Sequence, residues 1–265
     1  MVASDLADQG LLYYLHIPKT AGTTFTAILD RQFSAEHICP AQLWHELLRI
    51  PPERLRQYRL LRGHFYYCVR ALLPPGTRMV TLLRDPVERS LSHYSHILRE
   101  PGHYLHDRAL ALGSLENFLH DHETRTMIEN FQVRSIGLDL DPVAMASALD
   151  ADSLNHLMLE RLVETAMPAG IADDELLKRA KDRLETFAFV GLAERMQEAL
   201  AVLAHTFDWV MPTAYPNLNV SSNRLRREAI PMQTLDLIRE YTQLDSELYE
   251  HARCLFEARH YLIET

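Results

Sequence analysis

Apolar residues run without a break through Leu11–Ile17 and stop at Pro18. A short run that is apolar on both faces reads as a central parallel strand. Lys19, Thr20, Ala21, Gly22, Thr23 and Thr24 follow, and then Phe25, Ile28 and Leu29 recur at helical spacing, which predicts a helix over Thr24–Phe33. Leu43, Trp44, Leu47 and Leu48 predict a second helix within Cys39–Ile50, stopped by Pro51 and Pro52. Arg59–Phe65 and Arg78–Leu83 predict two more strands, separated by a turn at Pro74-Pro75-Gly76. Pro86 suits a first helical position, with Asp85 as its cap, in a helix reaching about Leu98.

Farther on, Pro101–Leu112 is rich in His, Gly and Asp and predicts a loop. A helix opens at Ser114, and Asp121–Thr186 is mainly helical, with breaks near Gly137, Asp141-Pro142 and Pro168–Gly170. Phe187–Gly191 predicts a fourth strand and Glu194–Trp209 an amphipathic helix. Met211–Arg227 reads as a polar connection, and two helices, Met232–Tyr241 and Asp245–Leu262, close the chain. Strands alternate with helices at the front and helices dominate the back. The expected fold is α/β: a three-layer parallel sheet with a P-loop-like strand-turn-helix nucleotide site and additional helices, in a single domain over residues 1–265.

Composition narrows the function. The chain has 265 residues, 47% hydrophobic and 24% charged, as in an ordinary globular enzyme. A formal net charge of -9 argues against nucleic acid as a partner, so an anionic ligand must be met by a local basic patch. Cys39, Cys68 and Cys254 form no CxxC pair, which fits a reducing compartment. The first residues, MVASDLADQG, have neither the basic nor the apolar region of a signal peptide, and no run approaches a membrane span. The expectation is a cytoplasmic location. Oligomeric state is not legible in the sequence.

Two stretches carry chemistry. In the first, a strand passes through a turn of small residues into a helix, aiming backbone N–H groups, hydroxyls and Lys19 at one point, as in a site for a phosphate-like anion. It is not a Walker A loop, which places glycine just before the lysine; here Pro18 precedes Lys19 and Gly22 follows it. In the second, Arg84-Asp85-Pro86-Val87-Glu88-Arg89-Ser90-Leu91-Ser92, Arg84 ends a parallel strand, where open α/β sheets bind ligands. Ser92 lies eight residues on in the next helix, so that Arg84 and Ser92 suit a second phosphate.

HIPKTAGTT followed by TLLRDPVERSLSHY resembles the sulfotransferase family of the heparan sulfate 2-O- and 6-O-type enzymes and their bacterial relatives. The likeness extends to Arg62-Gly63-His64, to Asn130-Phe131-Gln132-Val133-Arg134, to Val190–Arg195 and to Leu244–Tyr249. It implies that Lys19, Thr20, Ala21, Gly22, Thr23 and Thr24 hold the 5′-phosphosulfate of 3′-phosphoadenosine 5′-phosphosulfate (PAPS). Arg84 and Ser92 would then hold its 3′-phosphate, and the product would be 3′,5′-ADP. It implies that Ser221, Ser222, Asn223 and Arg224 close over the nucleotide, and that Asn130, Gln132 and Arg134 line the acceptor cleft. It also maps His64 onto the catalytic base of the family.

A neutral histidine suits proton removal from an attacking hydroxyl near pH 7. Of 14 histidines, His64 is favoured because a strand end sets it on the same sheet edge as Lys19 and Arg84. His16 is its rival, and sits just inside the first strand. Lys19 is expected to act catalytically too, on the leaving group. Arg54, Arg56, Arg59, Arg62 and Arg70 form a basic stretch that either meets an anionic sugar or is a solvated face, and Arg62 is assigned to the acceptor. No metal is expected: His93 with His96, and His103 with His106, have suitable spacing but no third ligand. The reaction expected is sulfuryl transfer from PAPS to a hydroxyl of a carbohydrate or glycoconjugate. The alternatives are a P-loop-type kinase using ATP and a non-catalytic nucleotide-binding module.

Overall fold

The computed structural model describes residues 10–155, 157–210 and 225–264. Four parallel strands form one sheet in the order β2-β1-β3-β4. They are β1 (Leu12–Leu15), β2 (Leu60–Gly63), β3 (Arg78–Leu83) and β4 (Phe189–Leu192). All four residues of β1 are buried, as a strand flanked on both sides and covered on both faces requires. Register aligns the strand ends: Leu15 pairs with Gly63 and with Thr81, and Leu83 with Leu192. The residues that follow, His16, His64, Arg84 and Ala193, therefore emerge along one edge. From β1 the chain crosses to β2 on one side and then to β3 on the other, so this carboxyl-end edge holds a crevice between β1 and β3, where such sheets take their ligands.

Five helices frame this edge. Helix α1 (Gly22–Asp30) follows the first turn, and α2 (Pro86–Ile97) follows β3 with Pro86 at its start. The Asp85 carboxylate accepts the Glu88 N–H at 2.9 Å, the cap its sequence predicts. Helix α3 (Phe131–Gly137) is buried along its whole length, α4 (Asp173–Glu185) packs across it, and the 22-residue α5 (Gln243–Glu264) packs against both and against β4. Tyr13, Tyr14, Phe25, Phe131, Phe189 and Phe256 fill one contiguous core between these elements. Gly191 in β4 is required by that packing: a Cβ there would lie 2.6 Å from the Phe189 ring and 2.7 Å from Leu82.

The α/β architecture with a parallel sheet and many helices is the one expected, and three local readings change. β1 and β2 are shorter than the expected Leu11–Ile17 and Arg59–Phe65, and β4 is shifted from Phe187–Gly191, whereas β3 has the expected bounds. The Cys39–Ile50 helix shrinks to one turn, Trp44–Leu47, because Ile38 bridges to Leu60 and the Cys39 N–H bonds the Leu60 carbonyl at 2.8 Å, drawing this segment to the sheet edge. The loop expected over Pro101–Leu112 contains a helix, His106–Leu112, anchored by buried Leu105 and Ala109.

Helix α3 depends on one carboxylate from α5. Asp245, fully buried, accepts the backbone N–H groups of Gln132 at 3.1 Å and Val133 at 2.8 Å. Asn130, in the left-handed region that asparagine tolerates, accepts the Leu244 and Asp245 N–H groups in return, at 3.0 and 3.3 Å. Replacing Asp245 with alanine orphans two buried donors and leaves buried Arg89 without its nearest opposite charge. We expect Asp245→Ala to lose about 2–4 kcal/mol of stability, read as a lower urea midpoint.

Candidate active site

The turn after β1 is wound tightly. Lys19 and Ala21 both have positive φ, 72° and 65°, a conformation that costs free energy in non-glycine residues and persists only where the surroundings enforce it. The Thr20 hydroxyl, fully buried, donates to the Ile17 carbonyl at 2.9 Å and fixes the turn. The N–H groups of Ala21 and Gly22 meet no acceptor among the described residues and open the first turn of α1, the arrangement that suits an anion. Thr23 is exposed and Thr24 buried. Gly22 is obligatory here: a Cβ would fall 1.6 Å from Nε2 of His16.

His16 thus lies under the turn, stacked on Tyr14 with ring centroids 5.2 Å apart, and its own ring meets that of His64 at 4.3 Å. His64 is fixed from both ends. Its N–H donates to the Gln42 carbonyl at 2.9 Å, and Gly63 before it admits no side chain, since a Cβ would lie 2.4 Å from that same oxygen. Its ring Nδ1 lies 2.9 Å from the His16 carbonyl. A carbonyl only accepts, so Nδ1 carries the proton and Nε2 carries the free lone pair. Burial, with the Lys19 charge adding to it, lowers the His64 pKa against the opposing pull of the carbonyl, so the ring is neutral at pH 7. His16 is lowered further, by burial, by His64 and by Lys19.

Arg84 joins the two motifs. Its Nη1 donates to the Lys19 carbonyl at 2.9 Å across the β1/β3 crevice. Its backbone is gripped on both sides by the buried Gln132 amide, which accepts the Arg84 N–H at 3.0 Å and donates to the Arg84 carbonyl at 2.9 Å. Glu194, just beyond β4, accepts the Asp85 N–H at 3.0 Å and lies 3.8 Å from the Arg84 guanidinium. Lys19 is pulled down to about 8, first by burial and then by the charges of Arg99, Arg84 and Arg89. Ser92 is half-buried on α2. Lys19, His64 and Arg84 therefore come together as the sequence predicted.

The side chains assigned to the acceptor are each engaged by partners within the protein. Arg134 is buried and spends its guanidinium on four carbonyls, those of Ala166, Thr126, Glu129 and Glu164. Gln132 holds Arg84, and Asn130 holds the start of α5. Arg62 is paired with Asp30 through two bonds and donates to the Cys39 carbonyl at 3.1 Å. These four side chains build the site from behind. Arg54, Arg56 and Arg59 precede β2 and so sit at the opposite end of the sheet from His64. Ser221, Ser222, Asn223 and Arg224 lie outside the described residues.

Gln42, Glu194 and Arg89 were missed. Arg89 stands within the second motif, fully buried, with Nη2 donating to the Met127 carbonyl at 2.6 Å and its guanidinium 4.8 Å from the Phe131 ring centre. Met127 and Phe131 are far along the chain, while Nη1 donates to His93 Nδ1 one turn on at 3.0 Å, and the local signal was an arginine on the apolar face of a helix. His93, His96 and His103 converge, with ring centroids 6.1 to 6.5 Å apart. Among the described residues no group of three or more His, Cys, Asp or Glu is arranged to hold a metal ion, and no helix is long and apolar enough to cross a membrane.

Residues 4–130 match the family model described as the sulfotransferase family. Over this stretch the chain is similar to sulfotransferases. It is 26% identical to heparan-sulfate 6-O-sulfotransferase 2 of Danio rerio, across 94% of this chain and 58% of that protein. It is 26% identical to heparan-sulfate 6-O-sulfotransferase 2 of Gallus gallus, across 97% of this chain and 69% of that protein. With heparan-sulfate 6-O-sulfotransferase 1 of Homo sapiens it shares 25% identity, across 97% and 68%. The chain thus spans just under three fifths to about two thirds of the length of these relatives.

The buried histidines set an acid limit on the fold. His16, His64 and His93 are lowered from 6.5, and His96 and His103 are pulled down to about 4, in each case by burial first. The unfolded chain takes up these protons first as pH falls below 6.5, so stability is full above that value and declines beneath it. Glu164, raised to about 7, works in the opposite sense but is one group against five. We expect the urea midpoint to fall between about pH 7.5 and about pH 5.5, with His16, His64 and His93 each contributing up to about 1.4 kcal/mol per pH unit and the half-buried His96 and His103 less.

Proposed function

We propose that this chain is a sulfotransferase that moves the sulfuryl group of PAPS to a hydroxyl of a carbohydrate acceptor, with His64 as the base. The observation that carries the proposal is the convergence at one sheet edge. A neutral histidine with a free Nε2 stands beside an amide-lined turn whose lysine carbonyl is bonded by the arginine of the second motif. The names of the relatives, heparan-sulfate 6-O-sulfotransferases, support sulfuryl transfer to a sugar hydroxyl.

The donor fits this chemistry. The Ala21 and Gly22 amides and Lys19 would hold the 5′-phosphosulfate, and Arg84 and Ser92 the 3′-phosphate. His64 Nε2 takes the acceptor hydroxyl proton as that oxygen bonds to sulfur in line. The bond from sulfur to the bridging oxygen breaks, and the charge left on the phosphate of 3′,5′-ADP is met by Lys19. Lys19, at about 8, stays mainly protonated at pH 7, and its partial desolvation strengthens its field at the leaving oxygen. No step needs a metal, since a singly charged sulfuryl group leaves less charge to neutralise than a phosphoryl group does.

Two measurements test this. Calorimetry should show 3′,5′-ADP binding without metal and at least about tenfold tighter than ATP, and a preference for ATP with Mg²⁺ would favour a kinase. With labelled PAPS and a panel of glycans beginning with heparan sulfate, His64→Ala should lower transfer about 10²–10⁴-fold and leave 3′,5′-ADP affinity nearly unchanged. Undiminished transfer would remove His64 from the mechanism, and binding with no transfer to any acceptor would favour a non-catalytic module.

A further inference from the structure

Two residues after His64 the chain turns through Tyr66, whose φ is 53°. A bulky residue keeps that conformation only when its surroundings over-determine it. Tyr66 is held at three points. Its carbonyl accepts the buried Tyr13 hydroxyl at 2.9 Å, its ring stands edge-on to Phe131 with centroids 5.9 Å apart, and its hydroxyl donates to Glu164 Oε1 at 3.4 Å. The other oxygen of the same carboxylate, Oε2, accepts the Tyr104 hydroxyl at 3.1 Å. Tyr104 stacks on His103 at 4.7 Å, and His103 meets His93 and His96. One carboxyl group at the end of the helix Met158–Glu164 therefore ties the segment carrying His64 to the segment carrying His103. Behind it lies a cavity of about 10 Å³, room for about one water, lined by Tyr66, Phe131, Arg134 and Glu164.

We propose that Glu164 is a positioning residue for the base: through Tyr66 it fixes the turn that follows His64, and it does so fully only as the carboxylate. This rests on the reading of His64 as the base. An ionised carboxylate accepts from both phenols at once, whereas the protonated group turns one oxygen into a donor and weakens one tie. The groups facing Glu164 set where that change falls. Burial raises its pKa to about 7, the Glu160 charge adds to the rise, and the two phenol hydrogen bonds and the Arg134 charge oppose it. Beyond these, Arg161 lies over the Tyr104 ring at 5.5 Å, and Cys68, raised to about 12 and hence neutral, lines the cavity. Its protonation change thus falls in the pH range in which the enzyme would work.

The test follows the His64 imidazole by NMR, its signal assigned by its absence from His64→Gln, in protein saturated with 3′,5′-ADP. In the unmodified chain the signal should show two steps, its own below pH 6.5 and a second near pH 7 from Glu164. Glu164→Gln and Tyr66→Phe should each erase the second step, shift the His64 signal at high pH, and change 3′,5′-ADP affinity less than about twofold. A single step in the unmodified chain, or identical curves in all three proteins, overturns the proposal. Should Glu164→Gln fail to fold, Tyr66→Phe leaves the carboxyl in place and carries the same test. Failure of the sulfotransferase reading would look different: the unmodified chain would not bind 3′,5′-ADP.

Discussion

The hydrogen bond from Arg84 to the Lys19 carbonyl is the joint on which the rest of this structure turns. It spans the crevice between β1 and β3 and fixes the donor-side lysine relative to the second motif. Its precision is borrowed. Arg84 cannot shift because Gln132 holds its N–H and its carbonyl together, and Gln132 cannot shift because Asp245 holds its backbone N–H. A carboxylate near the start of the last helix thus sets the position of a turn more than two hundred residues earlier, through three hydrogen-bonded links, each between groups with little freedom. Such a chain favours a site organised before the ligand arrives, because the reorganisation cost is met on folding.

The same burial that makes the joint rigid sets the charge state of the site. The chain as a whole carries a formal charge of -9, yet burial first, and then the charges of Arg99, Arg84 and Arg89, pull Lys19 down to about 8. Cations held together out of water are unfavourable in the free protein and become favourable when an anion is added. The histidines respond in the opposite way. Desolvated beside those cations, they stay neutral, and the His16 carbonyl then selects the tautomer of His64. A neutral histidine beside a cluster of cations is therefore a direct consequence of one partly dry sheet edge.

The parts legible in the sequence are those governed by local pattern. The doubly buried run at Leu12–Leu15, the Pro86 helix with its Asp85 cap and the breaks at Gly137 and Asp141-Pro142 all sit where spacing and turn chemistry put them. His64 and Arg84 could be placed because each follows directly on a strand end, and Lys19 because it stands in the turn after β1; a parallel sheet gathers such positions on one edge. What was not legible depends on partners distant in sequence. Asp30 claims Arg62 across 32 residues, and the Ala166 and Glu164 carbonyls claim Arg134 across about 30. A polar side chain in a motif looks the same whether it faces a ligand or a buried carbonyl, and only the fold separates the two.

That distinction changes where acceptor recognition must be sought. Asn130, Gln132 and Arg134 were expected to line the acceptor cleft, yet all three side chains are spent on holding Arg84, α5 and the loop at Ala166. Around the base, the polar groups without a hydrogen-bond partner among the described residues lie elsewhere. They are His64 Nε2, the half-buried His96 imidazole on α2 and the guanidinium Nη atoms of Arg99, whose Nε is bonded to the Ser95 carbonyl. These groups rise from the helix after β3 and from the turn after β2. The polar groups that the fold leaves unsatisfied here are thus separate from the segment that holds Arg84 from behind.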